Sequence, residues 1–202
     1  MHRVARLGIA RSVTRNKTAP IMGSVMGRIS EETPAYEVLS TGDNFDLRKY
    51  AAGTAVETSD AEGKAFGALA GYIGVMSAPK NEKKEKISMT APVVSIPDGS
   101  DAMRMQFVLP SALADAPDPT VPGVRIVPRP AQTMVVERYT GSWDEADAKA
   151  RALKLGDRAR AAGHDVPEGL VGVAWEWRRF NPPWTIGFMR TNEICVPIVE
   201  GK

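Results

Sequence analysis

Six prolines fall between residues 110 and 130, at positions 110, 117, 119, 122, 128 and 130. Proline has no backbone donor and clashes with the preceding helical turn, so this segment holds no helix and at most an edge strand. It therefore reads as a linker between two parts, residues 32–110 and 122–200. In the first part, Tyr36-Glu37-Val38-Leu39 and Phe45-Asp46-Leu47-Arg48-Lys49-Tyr50 alternate apolar and polar residues around Gly42-Asp43-Asn44, which predicts a hairpin. Ala51 to Thr58 stays extended. Residues 61–76 change to helical spacing, with Phe66, Leu69, Ala70 and Ile73 on one face and Ala65, Tyr72 and Met76 beside it. After Pro79 the charged run Lys80 to Lys86 reads as a solvated connector, followed by strands over 87–96 and 103–109. The second part predicts a strand over 133–139 and an amphipathic helix over 144–162. Ser142 or Trp143-Asp144 begins that helix and Gly163 ends it; strands over 171–180 and 194–199 follow. Each part runs strand, helix, strand, strand. Residues 45–50 and 134–139 both end in a basic residue followed by Tyr, so they read as equivalent strands of a pseudo-twofold α+β barrel with two helices.

Composition sets limits on function. With 202 residues, 43% hydrophobic and 25% charged, the chain is long enough for a substantial core. It has no apolar run of the length a membrane span needs. The sole cysteine, Cys195, lies in an apolar strand pattern and reads as a buried, inert thiol. Residues 1–30 hold Arg3, Arg6, Arg11, Arg15, Lys17 and Arg28 and no acid. Taking those six from the 26 basic residues leaves 20 against 24 acidic ones, a net of −4 for the body. An acidic body excludes a nucleic-acid-binding surface, which needs clustered positive charge. The Arg-rich, acid-free start with Ser and Thr is the composition of an organellar targeting peptide, with plastid and mitochondrion not separable.

Catalytic constellations are missing. Of the two histidines, His2 lies in the N-terminal extension, and His164 follows Gly163 just past a helix, where the dipole favours a cation. The chain has no Ser/His/Asp order, no paired metal-ligand motif and no phosphate-cradling glycine loop. It reads as a non-enzyme without a resident metal. Asn181-Pro182-Pro183-Trp184, with Arg190-Thr191-Asn192-Glu193 after it, is a stiff connection carrying a large aromatic. It suits the rim of a ligand cleft, and equally a proline-stiffened hairpin whose Trp caps a core. Trp175-Glu176-Trp177 places a carboxylate between aromatics, as in the clefts of gyrase-inhibitor-like sensors of cationic aromatic molecules. The period of two, however, puts both indoles on one face and Glu176 on the other.

Several ordered motifs carry a family resemblance. Lys86-Ile87-Ser88-Met89-Thr90-Ala91-Pro92-Val93-Val94, the Asn181-Pro182-Pro183-Trp184 hairpin with its Arg-Thr-Asn-Glu tail, Glu32 to Tyr36, Arg48-Lys49-Tyr50 and Tyr72-Ile73-Gly74-Val75 together resemble the SOUL/haem-binding protein family, plant and algal members above all. The resemblance covers about 170 residues. It implies a distorted antiparallel β-barrel flanked by two α-helices, over residues 22–202. Met22-Gly23 looks like the start of a cytosolic relative, which makes 1–21 an extension and leaves a cytoplasmic protein if translation starts at Met22. The family function is non-enzymatic binding of haem, protoporphyrin IX or a related tetrapyrrole, for buffering, transport or signalling. The family's groove lies between the first helix and the proline-rich hairpin. By position this nominates Phe66, Leu69 and Ala70 on the helix and Phe180 and Trp184 on the hairpin.

A tetrapyrrole needs an apolar groove, basic groups for its propionates and, optionally, an axial ligand. Gly63, Gly67, Ala70 and Gly71 would let a flat ligand approach the first helix. An apolar helical stripe is also what a core helix looks like, so the residues alone leave lining and packing open for Phe66; Ile73 and Met76 read as core. Lys64 and Arg190 are the propionate candidates, and Arg190 also reads as the partner of Glu193 within its hairpin. Met89, Cys195 and Tyr72 are conceivable iron ligands without a supporting motif. The expectation is binding by burial and stacking, with no strong axial bond. The alternative function is an interaction or sensor protein whose cleft binds another hydrophobic or cationic aromatic molecule or a peptide.

Overall fold

The computed structural model describes residues 27–199 apart from 43, 61, 100, 101 and 142. The N-terminal extension, Met22-Gly23, the hairpin residue Asp43 and the helix-start candidate Ser142 lie outside the described residues. The strands are β1 (Tyr36–Gly42), β2 (Phe45–Tyr50), β3 (Gly53–Ser59), β4 (Val93–Pro97), β5 (Met103–Val108), β6 (Arg125–Arg129), β7 (Gln132–Thr140), β8 (Glu176–Arg179) and β9 (Thr191–Pro197). Helix α1 (Ala65–Ile73) follows β3, and α2 (Glu145–Ala161) follows β7. No helix among the described residues is long and apolar enough to cross a membrane.

All nine strands form one antiparallel sheet in the order β1-β2-β7-β9-β8-β4-β5-β3-β6. Read outward from its centre, β8-β9-β7-β2 mirrors β4-β5-β3-β6. The two segments that look equivalent in sequence, 45–50 and 134–139, are instead neighbours in the sheet, with Arg48 opposite Met134. The strand that corresponds to β7 is β3, since each precedes a helix and pairs with the last strand of its own part. β2 and β6 each cross over to pair with the other part's helix-preceding strand. Local sequence similarity cannot reveal such an exchange, because partner choice is set by long-range packing.

The helices sit on one face. Met105, Ser95, Trp177 and Ile194 are successive register partners across β5, β4, β8 and β9, so their side chains share that face. α1 packs Leu69, Ala70 and Ile73 on Val56, Met105 and Phe107; α2 packs Ala148, Ala152, Leu155 and Ala159 on Val135, Ile194 and Val196. Spacings of three and four along α2 align its small residues into a stripe that lets the helix approach closely. Asp144 caps it by accepting the Asp147 N–H at 2.7 Å, with Glu145 and Asp147 in the first turn and Arg158 and Arg160 in the last, as the helix dipole favours. α1 is shorter than the predicted 61–76: nine residues, or about 13.5 Å at 1.5 Å each. Gly74 stops it in a left-handed conformation (φ 75°), and a Cβ there would meet Pro79 at 2.5 Å. Met76, expected in the core, therefore lies beyond the helix and is exposed.

The opposite face carries a row of register partners, Arg125, Glu57, Gln106, Val94, Arg178, Glu193 and Arg138, across seven strands. Arg129 on β6 reaches Glu176 on β8 at 2.7 Å, although four strand spacings, about 19 Å in a flat sheet, separate them. The Arg178 guanidinium lies 4.3 Å over the Tyr50 ring, three strands away. The sheet is thus curled around this face, burying Glu57, Glu176, Arg178 and Glu193. It does not close into the expected barrel. β1 is exposed along its whole length and pairs only with β2, and β6, which carries Pro128, is the other edge.

Candidate functional site

On the curled face charged side chains pair with one another, although Tyr50 Oη and Arg104 Nε are buried there without a hydrogen-bond partner. Glu193 accepts from Arg48 (2.9 Å) and Arg138 (2.8 Å), Glu176 from Arg178 (2.6 Å) and Arg129 (2.7 Å), and Glu57 from Arg125 (2.6 Å) and Gln106 (2.6 Å). Burial by itself would raise the Glu176 pKa, but Arg178 and Arg129 outweigh it and hold the carboxyl below its usual range. Both Trp175 and Trp177 point to the helix face and are buried there, as the alternation predicts, so Glu176 is not a carboxylate in an aromatic cleft. A separate open depression is walled by Glu137, Asp147, Arg151 and Arg158, which pair with one another, and by Lys154 and Asp157.

The helix face is different. α1 covers β3 and β5 while α2 covers β7 and β9, which leaves the central strands β8 and β4 between the helices. Phe66 stands at one side of this strip, 40% exposed and edge-on to Phe107 with ring centroids 5.3 Å apart. Phe107 pairs with Val93 and Val93 with Arg179. Phe107, against which Phe66 rests, is therefore about two strand spacings, roughly 10 Å, from the point where the chain leaves β8 at Phe180. Leu69 and Ala70 are fully buried against the sheet, so of the nominated helix trio only Phe66 reaches solvent. Lys64 projects from the start of α1, 81% exposed and paired with Glu62 at 2.8 Å. Gly67 opens onto free space, whereas Gly71 is closed by the Lys80 side chain and Gly63 precedes the helix with φ 66°.

The proline-rich segment is a projecting loop between β8 and β9, held from within. Asn181 Oδ1 accepts the Thr191 N–H at 2.6 Å, and Arg190 donates to the carbonyls of Thr185 (2.8 Å) and Pro183 (2.6 Å). Arg190 thus locks its hairpin, as expected of a structural residue, but not through Glu193. Glu193 points to the curled face, where Arg48 and Arg138 occupy it. The loop holds Trp184 64% exposed and Phe188 71% exposed, with Ile186 also in solvent and Phe180 half-buried. Trp184 caps no core. Phe188 and Ile186 were not distinguished in the sequence, since loop residues carry no periodic signal.

The Lys86 to Val94 motif is structural. Ile87 and Met89 pack with α1, the Ile87 N–H donates to the Ile73 carbonyl at 3.0 Å, and Asn81 ties the adjoining loop to Tyr72 and Glu85. The conceivable iron ligands are engaged elsewhere. Tyr72 is buried and donates to the Pro117 carbonyl at 2.8 Å; Cys195 is buried under the curled face, where burial raises its pKa; Met89 packs against the α1 core. His164 lies against Phe45, beyond the end of α2. No cluster of three or more His, Cys, Asp or Glu side chains able to hold a metal occurs among the described residues.

Comparison with known proteins fits this geometry. No curated protein matches the sequence. Among solved structures, the C-terminal domain of EcmrR superposes with a TM-score of 0.51 at 14% identity, covering 78% of this chain and 98% of that one. A hydrolase from Listeria innocua gives 0.53 at 11% identity, over 80% and 94% of the two chains. EcmrR in a cryo-EM complex with DNA gives 0.52 at 13%, over 78% and 57%. At such identities the likeness is one of fold. The family model described as "SOUL heme-binding protein" matches residues 31–197, so that α1, the Lys86 to Val94 segment and the projecting loop all fall within it, and the chain belongs to the SOUL heme-binding protein family.

Proposed function

We propose that this protein binds haem or another tetrapyrrole reversibly and without catalysis, over the strip between α1 and the Asn181–Arg190 loop, as a buffer, carrier or signalling receptor for that ligand. The observation that carries this reading is the set of exposed aromatics, Phe66 on α1 and Trp184 and Phe188 on the loop, held on rigid supports beside the half-buried Phe180. Exposed aromatics on a stiffened loop offer faces on which a flat apolar ring can stack at little entropic cost. Family membership supports the same ligand class. The alternative is an interaction or sensor protein for another hydrophobic or cationic aromatic molecule or a peptide; its cationic-aromatic variant has lost its main support, since Glu176 lies on the other face and is neutralised by two arginines. The test is titration of the full chain with haemin and with protoporphyrin IX, followed by absorbance and Trp quenching. Saturable 1:1 binding of both is expected; haemin adsorption that never saturates would overturn the reading.

Because Tyr72, Cys195 and Met89 are engaged in the fold, the haem complex should lack a strong protein ligand to iron. Phe66→His should create one, with a red-shifted Soret band and a six-coordinate spectrum. Ala70→His is unsuitable, since Ala70 is buried and the ring would overpack the core. A six-coordinate low-spin spectrum from the unmodified protein would refute the claim.

A further inference from the structure

The buried arginines of the curled face are matched by carboxylates; Arg179, on the helix face, is not. Its Nη2 donates to Ser95 Oγ at 2.7 Å, and its guanidinium lies 4.6 Å from the Trp177 ring centre and 5.5 Å from that of Trp143. Its Nε is buried without an acceptor. Asp60 and Glu145 act on its charge from a distance, and neither forms an ion pair with it. Removing a cation from water without a contacting anion is costly, and burial accordingly holds Arg179 below the usual arginine value. Indole faces offset part of that cost but supply no acceptor.

Two more buried donors stand nearby. Arg179 pairs with Asn192, and Asn192 with Tyr139, so Arg179 and Tyr139 occupy one row on the helix face; Trp177 is two residues back along β8. Tyr139 Oη and Trp177 Nε1 are both buried without a partner in good hydrogen-bond geometry, the indole N–H lying close enough to the Tyr139 oxygen to act on it as a loose donor. Burial pushes the Tyr139 hydroxyl up to about 12, so it keeps its proton at neutral pH. The Tyr139 oxygen is also near enough to act on the charge of Arg179. A buried cation and a buried hydroxyl lacking an acceptor, with an indole N–H only loosely held beside them, are complementary to an anion. The cluster lies on β7 and β8, next to where the projecting loop leaves the sheet, and Arg179 remains partly exposed. The two arginine and lysine groups nominated from sequence are less suited: Lys64 is paired with Glu62 in full solvent, and Arg190 is committed to loop carbonyls.

We propose that Arg179, supported by Tyr139 and Trp177, receives a carboxylate of the bound ligand, so that the groove selects flat apolar molecules bearing acid side chains. This rests on the tetrapyrrole reading above, in which that carboxylate is a propionate. The test compares protoporphyrin IX with its dimethyl ester on the full-length protein, the Arg179→Gln and Arg179→Lys variants and Tyr139→Phe. The unmodified protein should prefer the free acid by about 10- to 100-fold, the range of one charge-assisted hydrogen bond. Arg179→Gln should abolish the preference without weakening the ester, Arg179→Lys should restore part of it, and Tyr139→Phe should reduce it. The urea midpoint of Arg179→Gln should be unchanged or raised, because an unmatched buried cation is removed; a purely structural arginine would lower it. An unchanged acid-to-ester ratio in Arg179→Gln overturns the proposal and leaves the tetrapyrrole reading standing. If neither porphyrin binds the unmodified protein, that reading fails, and pyrenebutyrate against pyrenebutanol then decides. Selective uptake of the acid, lost in Arg179→Gln, retains the Arg179 site, and the lack of such selectivity overturns it.

Discussion

Glu176→Ala should lower the stability of the folded chain by about 3–5 kcal/mol, the usual cost of removing one partner from a buried ion pair. Glu176 is buried between Arg178, itself buried, and Arg129, which arrives from the far edge strand β6. Its removal leaves a buried guanidinium without its carboxylate and cuts a tie that spans four strand spacings of the curled sheet. Urea denaturation of the full chain measures the effect. A loss below about 1 kcal/mol would mean that water or a neighbouring acid compensates, and that the network is not what holds the curl. The pH dependence has a definite sign. Burial alone would raise the Glu176 pKa, but Arg178 and Arg129 depress it below the unfolded value of about 4.3. Its contribution is therefore fully present above that unfolded value and is lost as pH falls through the lower folded one. Glu57 shifts in the same direction, because Gln106 and Arg125 outweigh its burial. The unmodified protein should thus lose stability below about pH 4 more steeply than Glu176→Ala does.

What the sequence revealed and what it hid divide along the range of the interactions. α2 was legible because its stripe, its Asp144 cap and Gly163 act within a few residues of one another. The opposite orientations of Glu176 and the two flanking indoles were legible because strand alternation is local. The extent of α1 was not, because apolar spacing continues past Gly74 to Met76, while a left-handed residue wedged against Pro79 ends the helix. The open edges, the exchange of β2 and β6 between the two parts and the curl all depend on contacts such as Arg129 with Glu176, which no local pattern encodes. In the candidate site, Phe66 and Trp184 were nominated by position from the family resemblance, and both side chains reach solvent. Arg179 was hidden beside Arg178: adjacent arginines look interchangeable in sequence, yet alternation sends one into a carboxylate network and the other among indoles.

Trp184→Ala should weaken porphyrin binding about 30-fold, while leaving stability within about 0.5 kcal/mol of the unmodified protein. The two halves of this expectation come from the same fact. A side chain 64% exposed on a loop held by Asn181 and Arg190 contributes little to the core, so its removal opens no cavity. The same exposure leaves its indole face free for a ligand, and fully desolvating that face on binding is worth about 2 kcal/mol or more. Phe66→Ala should weaken binding too, but at a stability cost of about 0.5–1.5 kcal/mol, since its ring also rests on Phe107. Leu69→Ala supplies the contrast. That side chain is fully buried under α1, so truncation should cost about 2–5 kcal/mol, with little effect on affinity in the molecules that remain folded. If Leu69→Ala impaired binding more than Trp184→Ala at matched folded fraction, the ligand would lie beneath α1 rather than across the strip. If the double variant of Phe66 and Trp184 still bound porphyrin with undiminished affinity, the contact surface would lie elsewhere on the molecule. Loss of binding in that double variant, with the urea midpoint lowered only by the Phe66 term, would place the porphyrin between the helix and the loop.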